Sequence, residues 1–364
     1  MIKYLSKVNA EKLGGVALLR LDFNTKDDWR MRAALPVIQL LLKTARAVVI
    51  LSHKGRPLGF QKEFSLVKDA ANLGILLKKN VQFLGHFNFT ALRSEIAAGK
   101  PKSVFVIENL RFMPGEADNN KEFAMNLASL GDYYVNDAFA VSHRKNASVS
   151  GIAALLPSYA GLGLESEIKN LGKIMGNAKR PLVMIFGGAK VEDKLDVLHY
   201  FKRKADAFLL GGALANTLLH LKGTNVGKSL HEQKVSKEIE ALIGYKNIFL
   251  PVDYRSEGNA ILDIGAKTEK MFAGKISEAK TIVWNGPVGM VEKEEFAKGT
   301  AYLARAIAAN KNAFSVVGGG ETVMALKRAG LDGNVSFIST GGGAMLDYLA
   351  GKKLPGITAL EKSK

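Results

Sequence analysis

The hydrophobic positions of this chain fall into short apolar runs, separated by polar segments with helical spacing. In the first half the runs predict five strands, at residues 16–19, 47–51, 81–84, 104–107 and 133–135. Between them, segments such as 35–44 and 121–130 have the spacing of helices. Strands that alternate with helices indicate βαβ units and a mostly parallel sheet with right-handed crossovers.

The second half repeats this pattern. Its predicted strands are residues 182–186, 207–210, 248–251, 281–284, 314–317 and 335–338. The runs are continuously apolar, which is typical of strands covered on both faces. The sequence therefore predicts an α/β protein made of two doubly wound, parallel-sheet (Rossmann-like) domains.

A helix is predicted between the two halves. Leu164, Ile168, Leu171 and Met175 have helical spacing, and Gly176 can end the helix. We interpret it as a hinge helix that joins an N-terminal domain, residues 1–163, to a C-terminal domain, residues 164–348. The tail, residues 349–364, is expected to pack back on the first domain; the alternative is a frayed terminus.

Composition limits the classes of protein. The chain has 364 residues, enough for two cores, and no cysteine, which excludes disulfides and cysteine-ligated metals. The start of the chain lacks the apolar core of a signal peptide, and no apolar run reaches the roughly eighteen residues of a membrane span. We therefore expect a cytoplasmic protein without a membrane segment, and a monomer.

The net charge of +17 raises the question of an anionic partner. Basic residues are spread along the chain without a basic block, and interleaved aromatic residues are missing, so a nucleic-acid partner is disfavoured. Most of these charges are expected to be solvated. Small anionic substrates remain the favoured partners.

Charged and hydrogen-bonding residues follow the predicted strands of the first half. They include Asp22, Asn24, Arg30, His53, Arg56, Arg111, His143 and Arg144. In open parallel sheets, ligands bind beyond the carboxyl ends of the strands. Guanidinium groups bind carboxylate and phosphate bidentately, so the first half predicts a pocket for a small polyanion.

Glycines follow the strands of the second half instead, at 187–188, 211–212, 286, 318–320 and 341–343. Glycine lets the backbone approach a ligand closely, and helix N-termini bind phosphate. If a helix starts at Gly187, Lys190 and Lys194 lie on one face near its N-terminus. Glu321 either caps a helix or supplies a ligand to Mg²⁺. We interpret this edge as a cradle for nucleotide phosphates.

Two further glycine-rich segments are not assigned to phosphate binding. Residues 222–229, KGTNVGKS, resemble a P-loop but begin with Lys222 and lack the strand–loop–helix context. Residues 161–166, GLGLES, lack the third glycine of a dinucleotide fingerprint, and we expect no strand to lead directly into them.

Eight segments together resemble the phosphoglycerate kinase family, in the family's order and over nearly the whole chain. They are LDFN (21–24), SHKGRP (52–57), ENLRF (108–112), VNDAF (135–139), GGAKVEDK (187–194), WNGPVG (284–289), STGGGA (339–344) and LPG (354–356). The resemblance implies phosphoryl transfer between 1,3-bisphosphoglycerate and ADP, giving 3-phosphoglycerate and ATP with Mg²⁺, by domain closure and charge stabilisation.

The resemblance also implies roles for individual residues. The phosphoglycerate site would be Asp22, Asn24, Arg30, His53, Arg56, Arg111 and Arg144. The nucleotide site would be Gly188, Lys190, Lys194, Gly212, Asn285, Glu292, Gly319, Gly320, Glu321 and Thr322, with Glu321 as the metal ligand. The catalytic groups would be Arg30, Lys190 and the backbone N–H groups of Gly342 and Gly343.

The chain departs from the family pattern at four places. Glu321 stands where aspartate is usual, and Ala213 where a third glycine is usual. The segment 25–29 is short, and Asn146 replaces a frequent second histidine. Two other functions compete with a kinase. One is a binding protein, for example for RNA, that kept the fold without turnover. The other is a nicotinamide oxidoreductase, which the lack of an intact GxGxxG after a strand disfavours.

Overall fold

The structure is a computed structural model that describes residues 1–25 and 27–363. Lys26, in the short segment 25–29, and Lys364, at the end of the tail, lie outside the described residues. The chain divides into two compact units, Met1–Ile168 with Lys353–Lys364, and Lys169–Lys352. The sequence places these divisions a few residues earlier, at 163/164 and 348/349.

The first unit is built on a parallel sheet that has six strands within the described residues, in the order β3-β4-β2-β1-β5-β6. The strands are β1 Val16–Arg20, β2 Ala47–Leu51, β3 Val81–Leu84, β4 Ser103–Ile107, β5 Tyr133–Asn136 and β6 Ser158–Ala160. The five predicted strands are confirmed. We missed β6 because it has only three residues and directly follows Pro157.

The second unit contains a parallel sheet with six strands in the part of the chain that is described, in the order β14-β13-β12-β7-β8-β9, and a separate antiparallel hairpin, β10-β11. The strands are β7 Leu182–Phe186, β8 Ala207–Leu210, β9 Ile248–Phe249, β10 Tyr254–Glu257, β11 Ala260–Ile264, β12 Thr281–Asn285, β13 Phe314–Gly318 and β14 Phe337–Ile338. The six predicted strands are present, although β9 and β14 are shorter than expected.

Helices connect the strands in both units. They are α1 Trp29–Ala33, α2 Leu35–Thr44, α3 Val67–Leu77, α4 Phe89–Ala98, α5 Pro114–Ala117, α6 Lys121–Ala128, α7 Leu162–Asn177, α8 Glu192–Phe201, α9 Gly212–Leu221, α10 Lys237–Ala241, α11 Ala266–Glu278, α12 Lys298–Ala309, α13 Gly320–Arg328, α14 Gly342–Leu349 and α15 Pro355–Lys362. Among the residues that the structure describes, every helix is too short or too polar to cross a lipid bilayer.

The central strands of each sheet form the middle of each core. β1 and β2 are buried along their whole length, and so are β7 and β12, where Trp284 is fully buried. Burial on both faces explains why these strands have continuous apolar sequences. Because the strands of each of these sheets are parallel, their carboxyl ends meet at one edge. The residues that follow the strands are therefore placed close together.

The tail ends in helix α15, which belongs to the first unit. Leu354 and Leu360 are buried, and the Gly356 N–H donates to the Ser142 carbonyl at 2.8 Å. The alternative of a frayed terminus is therefore wrong for residues 355–362.

Candidate active site

The residues after β1, β2, β4 and β5 place arginines and a histidine at the carboxyl edge of the first sheet. We call this set the cationic edge: Asp22, Asn24, Arg30, His53, Arg56, Arg111 and Arg144. Asp22 and His53 are buried, Arg30, Arg111 and Arg144 are half-buried, and Asn24 and Arg56 are exposed.

The loop after β1 is held by hydrogen bonds among its own residues. Asp22 Oδ1 accepts from the Asn24 N–H at 2.8 Å, and Asp22 Oδ2 lies 2.7 Å from Arg30 Nη1. Asn24 Oδ1 accepts from the Gly55 N–H at 2.8 Å, which ties this loop to the one after β2. Arg30 Nε is buried without a hydrogen-bond partner among the described residues. That unused donor is suited to an anion.

Three arginines complete the cationic edge. Arg111 donates through Nη1 to the Gly55 carbonyl, and Arg144 donates through Nε to His143 Nε2 at 3.4 Å. Burial, followed by the nearby charges of Arg56 and Arg20, lowers the pKa of Arg144, while Asp22 opposes this shift. Like charges held together in this way destabilise one another until an anion binds. The cationic edge can therefore bind a small polyanion.

Three buried polar residues position this edge, and we did not assign them to the site from the sequence. Ser52 Oγ accepts from the Phe23 N–H at 3.0 Å and donates to the Leu21 carbonyl. Asn109 bonds the backbone of Lys54 through both side-chain atoms, and Glu108 accepts from the Leu66 N–H at 2.9 Å. All three lie in the quoted motifs SHKGRP and ENLRF, which was the available signal.

The carboxyl edge of the second sheet is formed by backbone. We call it the glycine edge: Gly187, Gly188, Gly211, Gly212, Gly286, Gly319, Gly320 and Gly341 to Gly343. A Cβ atom on Gly187 would meet the Pro287 carbonyl oxygen, and one on Gly286, whose φ is 92°, would meet the Gly187 backbone. The loops after β7 and β12 thus touch through backbone atoms, which requires glycine at both positions.

Helices α9, α13 and α14 all begin at this edge. Their N-cap residues are Gly211, Gly319 and Gly341, which have no side chain that could accept from the first N–H groups of the helix; the Gly341 N–H itself donates to Ser339 Oγ at 3.2 Å. The first N–H groups of a helix have no partner within the helix, and they carry partial positive charge. Gly342 and Gly343 are the first two residues of α14, and Gly342 packs against Gly319. The edge therefore offers several N–H groups to an anion.

The helix after β7 begins later than the sequence suggested. Gly188 has a φ of 79°, and its N–H donates to the Pro287 carbonyl at 2.7 Å, so the chain stays in a loop until α8 starts at Glu192. Lys190 lies in that loop, with an exposed side chain 3.9 Å from Asp193. The expectation that a helix starts at the glycines is wrong.

Lys194 lies in the first turn of α8 and is 5 % exposed. Its Nζ donates to the Lys190 carbonyl at 2.6 Å, which joins the helix to the loop before it. The pKa of Lys194 is lowered from its usual value, mainly by burial. The charge of Lys190 acts in the same direction, and the charges of Asp193 and Glu321 oppose the shift. Lys190 and Lys194 are thus close, but one is exposed and the other buried.

Asn285 and Thr322 lie at the centre of the glycine edge. Thr322 is fully buried, and its Oγ1 accepts from the Gly286 N–H at 2.9 Å. Asn285 ends β12 and is buried, and its Nδ2 has no hydrogen-bond partner among the described residues. The Thr322 hydroxyl therefore orients the loop after β12, while the Asn285 amide keeps a free donor.

A cavity of about 310 Å³ adjoins the glycine edge. Four of the predicted nucleotide residues line it: Gly188, Gly212, Glu292 and Glu321. Lys190, Lys194, Asn285, Gly319, Gly320 and Thr322 are not among its lining residues. Its apolar walls, including Ala213, Val288 and Met290, are suited to a planar ring.

We missed the part of the cavity wall that comes from the hairpin β10-β11. Tyr254, Ile261 and Asp263 line the cavity from these strands. The hairpin turns at Gly258 and Asn259, a two-residue Gly-Asn turn that favours a hairpin and was the available signal. Asp263 is buried, and burial raises its pKa to about 6.

The two unassigned glycine-rich segments form ordinary structural contacts. In residues 222–229, Ser229 Oγ accepts from the Ile261 N–H at 2.7 Å, and no helix follows directly. Residues 161–166 directly follow β6, so the expectation of no preceding strand is wrong. However, Asp137 Oδ1 accepts from the Leu164 N–H at 2.9 Å, so a carboxylate occupies that helix start.

Comparisons with known proteins agree with the motifs. The family model described as phosphoglycerate kinase matches residues 12–352. A phosphoglycerate kinase of Desulfosudis oleivorans is 43% identical, covering 96% of this chain and 97% of its own length, and one of Gloeobacter violaceus is 37% identical, covering 99% and 100%.

Solved structures give the same result. A phosphoglycerate kinase of Coxiella burnetii superposes with a TM-score of 0.83 at 35% identity, covering 100% of both chains. One of Pyrococcus horikoshii superposes with a TM-score of 0.87 at 32% identity, covering 99% of this chain and 98% of its own.

Proposed function

The chain belongs to the phosphoglycerate kinase family, and we propose from that premise how its own residues serve the reaction. The enzyme transfers a phosphoryl group between 1,3-bisphosphoglycerate and ADP, giving 3-phosphoglycerate and ATP, with Mg²⁺, in glycolysis and gluconeogenesis. The observation that best supports the assignment of roles is the contrast between the two edges. One unit gathers cations around a buried histidine, and the other leaves three helix starts uncapped at glycines.

The cationic edge binds the phosphoglycerate. Arg56, Arg111 and Arg144 would hold its phosphate and carboxylate, because guanidinium groups bind these anions bidentately. Asp22 and Asn24 would accept from its hydroxyl group, and His53 would donate to an oxygen. The lowered pKa of Arg144, caused by burial and by its cationic neighbours, supports this role, since a bound anion relieves the repulsion.

The glycine edge and its cavity bind the nucleotide. Gly188 and Gly212 would flank the adenine, and Glu292 would accept from the ribose hydroxyls; these three residues line the cavity. The phosphates would lie at the start of α13, on the N–H groups of Gly319, Gly320 and Thr322, beside Asn285 Nδ2 and Lys194 Nζ. Thr322 would also donate its hydroxyl proton, because Oγ1 only accepts from the Gly286 N–H and its own O–H group can still be donated to phosphate.

Transfer needs charge stabilisation more than a covalent partner. In the direction of ATP synthesis, a β-phosphate oxygen of ADP attacks the acyl phosphate, the P–O bond to the carboxyl group breaks, and a carboxylate leaves. No general base is needed, since the attacking oxygen is already ionised. Arg30, Lys190 and the N–H groups of Gly342 and Gly343 would stabilise the charge on the transferring group.

The residues at the glycine edge fit a magnesium–nucleotide complex. Within the described residues, no three His, Asp or Glu side chains form a cluster that could hold a metal by themselves. Mg²⁺ is commonly held by one or two carboxylates together with substrate phosphates. Glu321 is exposed, lines the cavity and follows the first residue of α13. It would supply that carboxylate, and the bound ion would neutralise phosphate charge.

A coupled assay tests the assignment of Lys190. Replacing the exposed Lys190 by alanine should lower kcat by about 100-fold or more, the scale of a single electrostatic donor, while MgATP still binds. Lys204→Ala, another exposed lysine of the same unit, is the control and should keep wild-type kcat. An unchanged kcat in Lys190→Ala would contradict the role of Lys190.

The identity of the metal ligand has its own test. Glu321→Gln removes one negative charge and should raise the Mg²⁺ concentration needed for half-maximal rate by about tenfold. The same titration with Mn²⁺ measures whether the longer side chain alters metal preference. An unchanged Mg²⁺ requirement would exclude Glu321 as the ligand.

Domain closure, a monomeric state and a cytoplasmic location remain predictions. Small-angle scattering tests domain closure. The protein is measured with 3-phosphoglycerate, with a MgATP analogue, and with the two ligands together. Closure predicts the smallest radius of gyration when both ligands are present. Light scattering gives the mass of the particle, and fractionation of the source cells gives the location.

A further inference from the structure

Arg20, the last residue of β1, lies beneath the cationic edge and is 1 % exposed. Its Nε donates to Ser148 Oγ at 2.8 Å, and its Nη1 donates to the carbonyls of Leu21 and Leu51. Its Nη2 lies 3.2 Å from His53 Nδ1. Although Arg20 stands among the strand-end cations, its donors are used inside the unit, so it is not presented to a ligand.

Glu116 is the counterion of Arg20. Glu116 Oε1 lies 3.9 Å from Arg20 Nη2, and both residues are buried. The Glu116 carboxylate also accepts from the hydroxyl and the N–H of Ser148, at 2.7 and 2.9 Å. Buried charges are retained in pairs with their hydrogen bonds satisfied, as here. The pair fixes the position of the Arg20 guanidinium beside His53 Nδ1.

The contact with Arg20 determines which nitrogen of His53 carries the proton. A guanidinium group only donates hydrogen bonds, and it does not lose its proton in proteins. His53 Nδ1 must therefore be the acceptor, and the proton of the neutral ring lies on Nε2. Asp22 Oδ1 is the other group near Nδ1, but at 3.9 Å it is too far to accept a hydrogen bond from it.

We infer that Arg20 is a positioning residue that holds His53 as the neutral tautomer with its proton on Nε2. His53 then contributes a directed hydrogen-bond donor, and not a positive charge, to the phosphoglycerate site. This inference rests on the proposed assignment of that site. The arginines supply the charge, and the histidine supplies the direction.

The other charged groups that face His53 act in the same sense. Burial, then Arg20, Arg144 and Arg30, lowers the pKa of His53 well below its usual range. These cations come from β1, from the segment after β5 and from α1. Asp22, after β1, faces the ring as a carboxylate. The ring is therefore neutral at the pH of the cell.

Nitrogen NMR of the wild-type protein tests the tautomer directly. The chain has six histidines, and a His53→Gln variant identifies the His53 signals in protein labelled with ¹⁵N-histidine. We expect an unprotonated Nδ1, which resonates far downfield of a protonated nitrogen, and a protonated Nε2, unchanged between pH 7.5 and pH 5.5. A proton on Nδ1 in the free wild-type protein would overturn the inference.

A charge-balanced variant tests the role of Arg20. Arg20→Met with Glu116→Gln removes both partners of the buried pair. The pKa of His53 should rise, because one of the cations that lower it is gone. The matched control is Lys54→Met with Asp69→Asn, a charge-balanced pair at 2.8 Å that involves the neighbour of His53 in sequence. An equal His53 titration in the two double variants would contradict the role of Arg20.

Kinetics separate positioning from general loss of structure. In the Arg20/Glu116 variant, KM for 3-phosphoglycerate should rise about fivefold at pH 7.5, the scale of one hydrogen bond, with KM for MgATP unchanged. The ratio of variant to wild-type KM cancels the ionisation of the substrate itself, and it should fall as the pH is lowered through the pKa of His53 that NMR measures for the variant. A ratio independent of pH would contradict the inference.

The substrate complex distinguishes this inference from the site assignment on which it rests. Saturating 3-phosphoglycerate should shift the His53 Nε2 signal and leave Nδ1 unprotonated. If 3-phosphoglycerate binds but the His53 nitrogen signals do not shift, the assignment of the phosphoglycerate site is wrong. The role of Arg20 in binding is then wrong as well, whichever tautomer the free protein shows.

Discussion

The two units have the same kind of sheet, but they present different chemistry at its carboxyl edge. In the first unit, side chains form the site, and buried polar residues such as Asn109 and Ser52 hold the loops in place. In the second unit, backbone forms the site, and the loops touch one another through glycines. A site built from side chains is specified by charge and hydrogen bonds, whereas one built from backbone is specified by the absence of side chains.

Helix starts show the same difference. In the first unit the start of α7 is occupied by the Asp137 carboxylate, and α4 and α6 are capped by Asn88 and Asn120. In the second unit the glycine-led starts of α9, α13 and α14 receive no side-chain cap among the described residues. Side-chain oxygens therefore occupy the N-termini of α4, α6 and α7, whereas the glycine-led starts of α13 and α14 have no such cap within the described chain and suit a phosphate; in α9 the Ala213 N–H already donates to the Gly188 carbonyl.

The largest expected effect concerns the cationic edge. Arg30→Met removes the guanidinium group whose buried Nε has no partner among the described residues, and kcat should fall by about 100-fold to 1000-fold. The control is Arg32→Met on the same helix, because Arg32 is exposed and pairs with Asp28 at 2.7 Å. Steady-state kinetics measure kcat of both variants. If kcat falls equally in Arg30→Met and Arg32→Met, the position of the Arg30 guanidinium is not what stabilises the transferring group.

The next effect concerns the glycine edge. Gly286→Ala places a Cβ against the Gly187 backbone at a φ of 92°, which should destabilise the second unit by about 2 kcal/mol. The displaced loop should weaken nucleotide binding at least about tenfold, while 3-phosphoglycerate affinity is unchanged. Calorimetric titration with each ligand measures both quantities.

Gly274→Ala is the matched control for this change. Gly274 lies inside α11, and an added Cβ would meet open space. Alanine is favoured over glycine in a helix by about 1 kcal/mol, so this variant should be as stable as the wild type or more so. If both glycine variants bind nucleotide equally well, the backbone contact does not specify the site.

Much of this comparison could be predicted from the sequence, because each central strand is a continuous apolar run followed by its site residues. The parts that were missed are short or polar strands and features that depend on contacts between distant segments. In the hairpin, β10 (YRSE) is mostly polar and β11 (AILDI) is interrupted by Asp263, so neither resembles the continuously apolar strands of the parallel sheet. The late start of α8 follows from the contact of Gly188 with Pro287.

Side-chain pairing was also beyond the sequence. Arg20 and Glu116 look like ordinary surface charges until β1 and α5 bring them together. In the same way, the sequence does not reveal that Asp137 caps α7, or that the Thr322 hydroxyl accepts from the Gly286 N–H. Periodicity predicts which face of an element is buried, but the register between loops decides which polar groups meet.

A smaller effect concerns the buried carboxylate that caps α7. Burial raises the pKa of Asp137 to about 6, although the hydrogen bonds that its carboxylate accepts from the Leu164 and Gly163 N–H groups act to lower it. The pKa of an aspartate in the unfolded chain is about 4. Between about pH 4 and pH 6, Asp137 therefore binds more protons in the folded protein than in the unfolded chain. The contribution of Asp137 to the free energy of unfolding should therefore increase by about 1 kcal/mol as pH falls from 7 to 5.

Asp137→Asn should remove this increase. Chemical unfolding at pH 7 and pH 5, followed by Trp29 fluorescence in a Trp284→Phe background, reports on the first unit. Asp118→Asn changes an exposed carboxylate of the same unit and serves as the control. His53, whose pKa is lowered, acts in the opposite direction, but all of these proteins carry it. An unaltered difference between the two pH values in Asp137→Asn would contradict the prediction.

The smallest effect concerns Ala213, where the family pattern has glycine. Ala213 lines the cavity, and its N–H donates to the Gly188 carbonyl at 3.0 Å, a bond that glycine would keep. Ala213→Gly should lower the stability of the second unit by about 1 kcal/mol through helix propensity. The nucleotide Kd should change by about fourfold at most, the value of one buried methyl group.

Ala301→Gly in α12 makes the same substitution away from the cavity, so it measures the helix effect alone. The difference in nucleotide Kd between these two variants isolates the methyl group of Ala213. A decrease in nucleotide Kd well above fourfold in Ala213→Gly, and not in Ala301→Gly, would mean that the methyl group of Ala213 obstructs the nucleotide. The glycine edge would then tolerate fewer side chains than its geometry indicates.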